Sequence, residues 1–241
     1  MPTLNIATYK FVTLDNLPER RVQLLARCVA LSLKGTILLA TEGINLFLAG
    51  TDTHINEFKA KLGDDPAFVD LIYKDSWSAE QPFGKLLVKI KQEIIPLGIP
   101  EVNPATNPAP RLSPQQLKEW LDAGRDVLLL DTRNEFEVDH GTFTNAKHLS
   151  INNFRHLPQA LHQLGEDAKR KPVVTFCTGG IRCEKAAPYL LQQGFQEVYQ
   201  LDGGILKYFE ECGNAHYQGE CFVFDERVTL DAELNPTYTS R

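Results

Sequence analysis

VVTFCTGGIRCEKAA, residues 173–187, places a cysteine at a strand-to-helix turn. Val173-Val174-Thr175-Phe176 is a short run of the kind that forms a strand buried on both faces of a parallel sheet. It ends in Cys177. Thr178, Gly179, Gly180 and Ile181 follow, and Arg182 opens a helix that runs to Gln193, with Gly194 as its stop. A turn with two glycines lets consecutive backbone N–H groups converge on one point and form an anion nest. The helix N-terminus adds partial positive charge and Arg182 adds a full one. Each favours thiolate over thiol, so the spacing predicts a nucleophilic Cys177 of lowered pKa. A lone cysteine at a strand end is otherwise a small buried hydrophobe; the glycines and the arginine speak against that here.

The flanking sequence extends the same pattern. Ser113-Pro114-Gln115-Gln116 reads as a capping box with proline in the first turn, and Gly124 ends that helix. Val127-Leu128-Leu129-Leu130 is a second apolar run and ends in Asp131. Glu197 to Leu201 is a third and ends in Asp202-Gly203-Gly204. Short apolar strands alternating with helices imply an α/β domain with a parallel sheet, which binds ligands at the carboxyl ends of its strands. Asp131 and Cys177 both fall there. Asp131 and Arg133 are supporting candidates: they orient the loop or substrate, or form a structural ion pair and cap with Glu135 or Glu137. Cys183 either packs in the first helical turn or serves as a second thiol that attacks an oxidised or persulfidated Cys177.

Upstream, Pro96, Pro100, Pro104, Pro108, Pro110 and Pro114 crowd one region, which excludes helix and central strand. The expected boundaries are a first domain over 1–92, a proline-rich linker over 93–112, a second domain over 113–214 and a tail over 215–241. The first domain reads as βαββαβ, the ferredoxin-like α+β pattern. Leu4 to Val12 suits a strand. Asp15 or Asn16 caps a helix with Leu17, Val22, Leu25, Cys28 and Val29 on one face, ended by Gly35. Thr36–Ala40 and Ile44–Ala49 form a hairpin about Thr41-Glu42-Gly43. Ile55, Phe58 and Leu62 mark a second helix, and Phe68 to Tyr73 a further strand. An added strand, Lys85 to Lys91, puts Lys85, Lys89 and Lys91 on one face opposite Leu86, Val88 and Ile90. These lysines, with Arg20, Arg21 and Arg27 of the first helix, are candidate RNA phosphate contacts or the solvated face of an edge.

The chain has 241 residues and a net charge of -6. Residues 1–100 carry 11 basic and 11 acidic residues, so the acidity lies wholly in the C-terminal part. That balance gives no general attraction to nucleic acid. Five cysteines, Cys28, Cys177, Cys183, Cys212 and Cys221, without dense spacing point to a reducing compartment. No apolar run is long enough for a membrane span and no signal peptide is evident, so a cytoplasmic protein is expected. Cys212 and Cys221 lack zinc spacing, and none of the six histidines is followed two residues later by Asp or Glu. There is no dinucleotide fingerprint and no Walker loop. No metal and no cofactor is expected from the residues.

The loop, together with LLLDTRNEFEVDHGTFTNAKHL (128–149) and LDGGI (201–205), resembles the rhodanese superfamily, whose loop cysteine carries sulfur as a persulfide. Related phosphatases place five residues between cysteine and arginine; here there are four, a smaller cradle that suits sulfur. CTGGIRCEKAA, KGTILLATEGIN (34–45), KIKQEIIPLG (89–98) and GECFVFDERV (219–228) narrow the resemblance to the rhodanese-domain tRNA uridine hydroxylases. It covers nearly the whole chain, departing at Ile44-Asn45-Leu46, where members often have a glycine. It implies an acylphosphatase-like first domain, tRNA bound at its anticodon region, molecular oxygen as co-substrate, hydroxylation at C5 of the wobble uridine, and Cys177 as the required cysteine. Two other functions fit the cradle: a sulfurtransferase moving sulfane sulfur from thiosulfate or a persulfide, and a non-catalytic binding module. No residue pattern accounts for oxygen activation, which ordinarily uses a metal, haem or flavin.

Overall fold

In the computed structural model, which describes residues 2–237, the chain divides into two units between Pro96 and Leu97. The first runs β1 (Thr3–Phe11), α1 (Leu17–Ala30), β2 (Lys34–Ala40), β3 (Gly43–Gly50), α2 (Asp52–Gly63), β4 (Lys74–Ser78) and β5 (Leu86–Ile90). Its sheet has the order β4-β1-β3-β2-β5. All pairs are antiparallel except β2 with β5. This is the expected ferredoxin-like arrangement with β5 added at the edge. Leu24 and Cys28 of α1 and Ile55, Phe58 and Leu62 of α2 share one core with Ile37, Leu39, Ile44, Leu46 and Leu48 of the sheet. Each such fully buried aliphatic side chain contributes about 1.5–3 kcal/mol.

Four local expectations are corrected. Residues 64–70 are turns and the strand expected at Phe68 to Tyr73 begins only at Lys74. Asp65 is the cause: its carboxylate accepts the Ala67 N–H at 3.0 Å and its carbonyl the Phe68 N–H at 2.8 Å, and Phe68 folds into the core. Gly35 does not stop α1, which ends at Ala30. Gly35 lies inside β2 at φ 131°, where any Cβ would collide with the Phe47 carbonyl of β3. Val22 and Val29 are exposed, because the buried stripe of α1 runs through Leu24 and Cys28. Asn16 occupies the N-cap position in the left-handed region and makes no side-chain cap bond.

The second unit contains β6 (Arg111–Leu112), α3 (Pro114–Asp122), β7 (Leu128–Asp131), α4 (Glu135–Val138), β8 (Gly141–Phe143), β9 (Lys147–His148), α5 (Leu157–Ala160), β10 (Pro172–Phe176), α6 (Ile181–Gln192), β11 (Glu197–Leu201), α7 (Gly204–Cys212), β12 (Tyr217–Gly219), β13 (Cys221–Phe222) and β14 (Thr229–Leu230). The main sheet is parallel, in the order β6-β11-β10-β7-β9. The Ser113 capping box forms: its hydroxyl accepts the Gln116 N–H at 3.2 Å, and Gln116 returns a bond to the Ser113 N–H at 3.1 Å. β10 is the central strand, so Cys177 emerges at the carboxyl edge with neighbours on both sides. The proline-rich segment has no regular element over 91–110. Ile94 is tied to Glu42 and Asn45, and the Ala109 carbonyl accepts from Gln200 at 3.2 Å.

Candidate active site

Cys177 follows β10 directly and is fully buried. Gly180, at φ 98°, aims its N–H at the sulfur, with 3.1 Å between N and Sγ, and the Arg182 N–H converges on the same atom. The loop is held from below by the first turn of α7. The Ile205 N–H donates to the Cys177 carbonyl at 3.0 Å and the Leu206 N–H to the Thr178 carbonyl at 3.1 Å. This approach is possible only because residue 204 is glycine. It sits at φ 68°, and a Cβ there would lie 2.8 Å from both Gly180 N and Thr178 O and closer still to the Cys177 carbonyl.

Burial alone would push the Cys177 thiol up. The Cys183 thiol donating to it, the Arg182 charge, and the N–H groups of Arg182 and Gly180 outweigh burial and hold it well below the ordinary cysteine value. The other four cysteines move the opposite way. Burial raises Cys28 and Cys221 to about 12 each, raises Cys212, and raises Cys183, whose proton the Cys177 thiolate also retains. Cys177 is therefore the one nucleophilic sulfur of the five. Cys183 is buried in the first turn of α6, 3.8 Å from the Thr132 hydroxyl, and its sulfur faces that of Cys177.

Arg182 departs from a simple anion clamp. Its guanidinium grips Glu137 of α4 in a fork, Nη1 to Oε2 at 2.6 Å and Nη2 to Oε1 at 2.7 Å, with both groups buried. That bond pattern holds Arg182 protonated despite its burial. Glu137 also accepts the Asn134 N–H at 3.1 Å, which fixes α4 beside the loop. Asp131 and Arg133 pair with each other rather than with Glu135 or the Glu137 carboxylate. Arg133 Nη2 lies 2.6 Å from Asp131 Oδ2 and donates to the Gly141 carbonyl at 2.6 Å; Thr142 adds a bond to Asp131 at 2.8 Å. Arg133 reaches Glu137 through its backbone carbonyl, at 3.4 Å. This pair fastens the segment from β7 to β8 beneath the surface.

Three links to the loop were missed in the sequence, although the residues themselves stood out there: Glu137 to Arg182, Gly204 to the Cys177 carbonyl, and the tail to Thr178. Thr178 Oγ1 donates to the Phe222 carbonyl at 3.3 Å, so β13 closes over the loop. Phe222 meets Phe136 and Phe224 edge-to-face at ring-centroid distances of 5.2 Å each, and His140 stacks on it at 5.6 Å. The Arg182 guanidinium lies over the Phe224 ring, 5.9 Å from its centre. The repeated aromatic residues in GECFVFDERV were the available signal; nothing in their spacing connected them to Cys177.

The basic candidates all lie in the first unit. Lys85, Lys89 and Lys91 are exposed along edge strand β5, and Ile90 is exposed beside them. Arg21 joins that edge by donating to the Val88 carbonyl at 2.9 Å. Arg20 is bound by Asp65 and sits over Phe68, and it lines with Arg27, Lys61 and Asp64 a separate groove of about 260 Å³. The structure thus groups Arg21 with the three lysines and sets Arg20 and Arg27 apart.

Residues 3–94 match the UPF0176 acylphosphatase-like domain and residues 113–211 the rhodanese-like domain. The chain is 53% identical over 242 residues to the tRNA uridine(34) hydroxylase of Bordetella petrii, covering 98% of this chain and 96% of that protein. Identity to the protein of the same name from Burkholderia thailandensis is 50% over 246 residues, covering 98% and 83%. The Variovorax paradoxus protein is 53% identical over 237 residues, covering 96% and 90%. The chain belongs to the tRNA uridine(34) hydroxylase family. Membership accounts for both domain types in one chain, and it carries the resemblance found at 34–45, 89–98 and 219–228 into segments far from the loop.

Proposed function

We propose that this chain hydroxylates uridine 34 of tRNA at C5, with Cys177 as the reacting thiol. The observation that carries this reading is the cradle. One sulfur of five is drawn well below the ordinary cysteine value, by a second thiol, the Arg182 charge and two N–H groups, at the carboxyl edge of a parallel sheet in a chain of this family. Molecular oxygen is the proposed oxygen source. One atom enters the C5–H bond and the other leaves as water, with two electrons and two protons from a reductant. An anticodon loop offers single-stranded bases that can be splayed out to such a site. Among the described residues no helix is long and apolar enough to cross a membrane. A cytoplasmic location, where tRNA is found, is part of the proposal.

Nucleoside mass spectrometry of tRNA from cells lacking the protein, complemented with wild type or Cys177→Ala, tests it. Return of 5-hydroxyuridine-derived nucleosides with wild type alone is expected. Unchanged 5-oxygenated uridine with loss of a thiolated nucleoside would overturn it in favour of sulfur transfer. The four-residue spacing from Cys177 to Arg182 supports that second reading. Rapid cyanide-dependent thiocyanate formation is its signature.

A further inference from the structure

Phe136 and Phe224 are the two most exposed phenylalanines among the described residues, at 45% and 53%. Every other phenylalanine is more covered, yet these two lie together, 6.4 Å between ring centres and perpendicular, with Phe222 wedged against both. They belong to distant parts of the chain, α4 and the segment after β13. Folding therefore brings two open aromatic rings to one place, and that place is the rim of the thiolate cradle. Phe224 lies beneath the Arg182 guanidinium, whose backbone N–H points at Cys177, and Phe222 is tied to Thr178.

Exposed aromatic surface has a hydration cost, and a packed core would have absorbed these rings. Their chemistry suits a flat, weakly polar partner. A base in a single-stranded loop must leave its stack to react, and an aromatic ring replaces the stacking it gives up. The Arg182 guanidinium, buried and paired with Glu137, lies over the Phe224 ring and holds that ring in place beside the loop. We infer that Phe136 and Phe224 form a stacking platform, one ring offering its face and the other, perpendicular to it, its edge, that takes a nucleobase swung out of the anticodon loop and holds it at the rim of the Cys177 loop. This rests on the hydroxylase reading for the identity of the RNA. Stacking is tolerant of base identity, so the platform supplies binding and position rather than selection of uracil. Phe136 and Phe224 act as positioning residues.

The test uses the full chain and two RNAs, an anticodon stem-loop with uridine at the wobble position and the same RNA abasic there. Phe224→Ala and Phe136→Ala should each weaken binding of the uridine RNA, and raise KM, by about 5- to 150-fold. The thiolate absorbance of Cys177 should remain. The abasic RNA should bind wild type and variants alike. Phe224→Trp should restore affinity, and its added fluorescence should be quenched by the uridine RNA and not by the abasic one. Unaltered binding and turnover in the double alanine variant would overturn the platform. So would loss of the thiolate signal in Phe224→Ala, which would make the ring a structural support. Base-dependent quenching without any 5-hydroxyuridine from wild type would remove the proposed reaction and leave the platform standing.

Discussion

Replacing Glu137 by glutamine should loosen the second unit and yet strengthen the thiolate. Both oxygens of Glu137 accept from Arg182, at 2.6 and 2.7 Å, where neither group reaches solvent. Glutamine offers one acceptor and turns an NH₂ donor toward the guanidinium, leaving a buried cation short of its counter-charge. Removing one partner of such a pair costs about 3–5 kcal/mol. At about 2–4 °C per kcal/mol for a chain of this size, the melting temperature should fall by roughly 6–20 °C. The field at Cys177 changes with the opposite sign. Arg182 already draws the thiol down, and without Glu137 its charge is uncompensated, so the thiolate should persist to lower pH. Calorimetry gives the first quantity. Ultraviolet thiolate absorbance against pH, with Cys177→Ser as blank, gives the second. An unchanged melting temperature would refute the energetic role assigned to the pair. A titration shifted upward would show that Glu137 acts by holding the loop in shape rather than through charge.

Gly204→Ala should cost about 1–2 kcal/mol in left-handed backbone strain and about 1–3 kcal/mol in overpacking, and should raise the Cys177 titration as the new Cβ, 2.8 Å from Gly180 N, pushes that donor off the sulfur; thermal melts and absorbance report both. Cys183→Ala removes the thiol that donates to Cys177, so the thiolate should need higher pH to form, whereas Cys183→Ser, which keeps a donor, should titrate nearer wild type. Stability should follow the same group. Between the lowered Cys177 value and the ordinary cysteine value the unfolded chain holds one more proton at this site than the folded one. This contribution therefore rises with pH through that window, is fully present above it, and is lost as pH falls through the folded value. Urea titrations should show the difference between wild type and Cys177→Ser widening with pH there; a constant difference would contradict the shift. If Cys177 itself carries the oxidising equivalent, hydroxylation should survive removal of metals and flavin, and recovery by one added metal would refute that route.

Much of this was legible in the residues. VVTFCTGGIR contains its own strand, turn and helix start, and local sequence suffices to outline the cradle. The hairpin about Thr41-Glu42 and the stripe Ile55, Phe58, Leu62 were equally local. What escaped was long-range or set by side chains. β6 and β9, of two residues each, are too short to show a period. The turn at Asp65 was decided by a side-chain bond to the Ala67 N–H against an apolar run that favoured a strand. Glu137 lies 45 residues from its partner Arg182, and its charge gave no sign of burial. Gly203-Gly204 was visible as a turn, but its use as a close approach to the Cys177 carbonyl depends on how α7 docks.

That docking has a bearing on synthesis. The N–H groups that tether the loop belong to Ile205 and Leu206, and the carbonyl that anchors Thr178 belongs to Phe222. A ribosome that has released Cys177 but not yet these residues displays an incomplete cradle. The loop gains these tethers only once the chain has been extended through Phe222, so in a growing chain the cradle is completed well after Cys177 itself has been made.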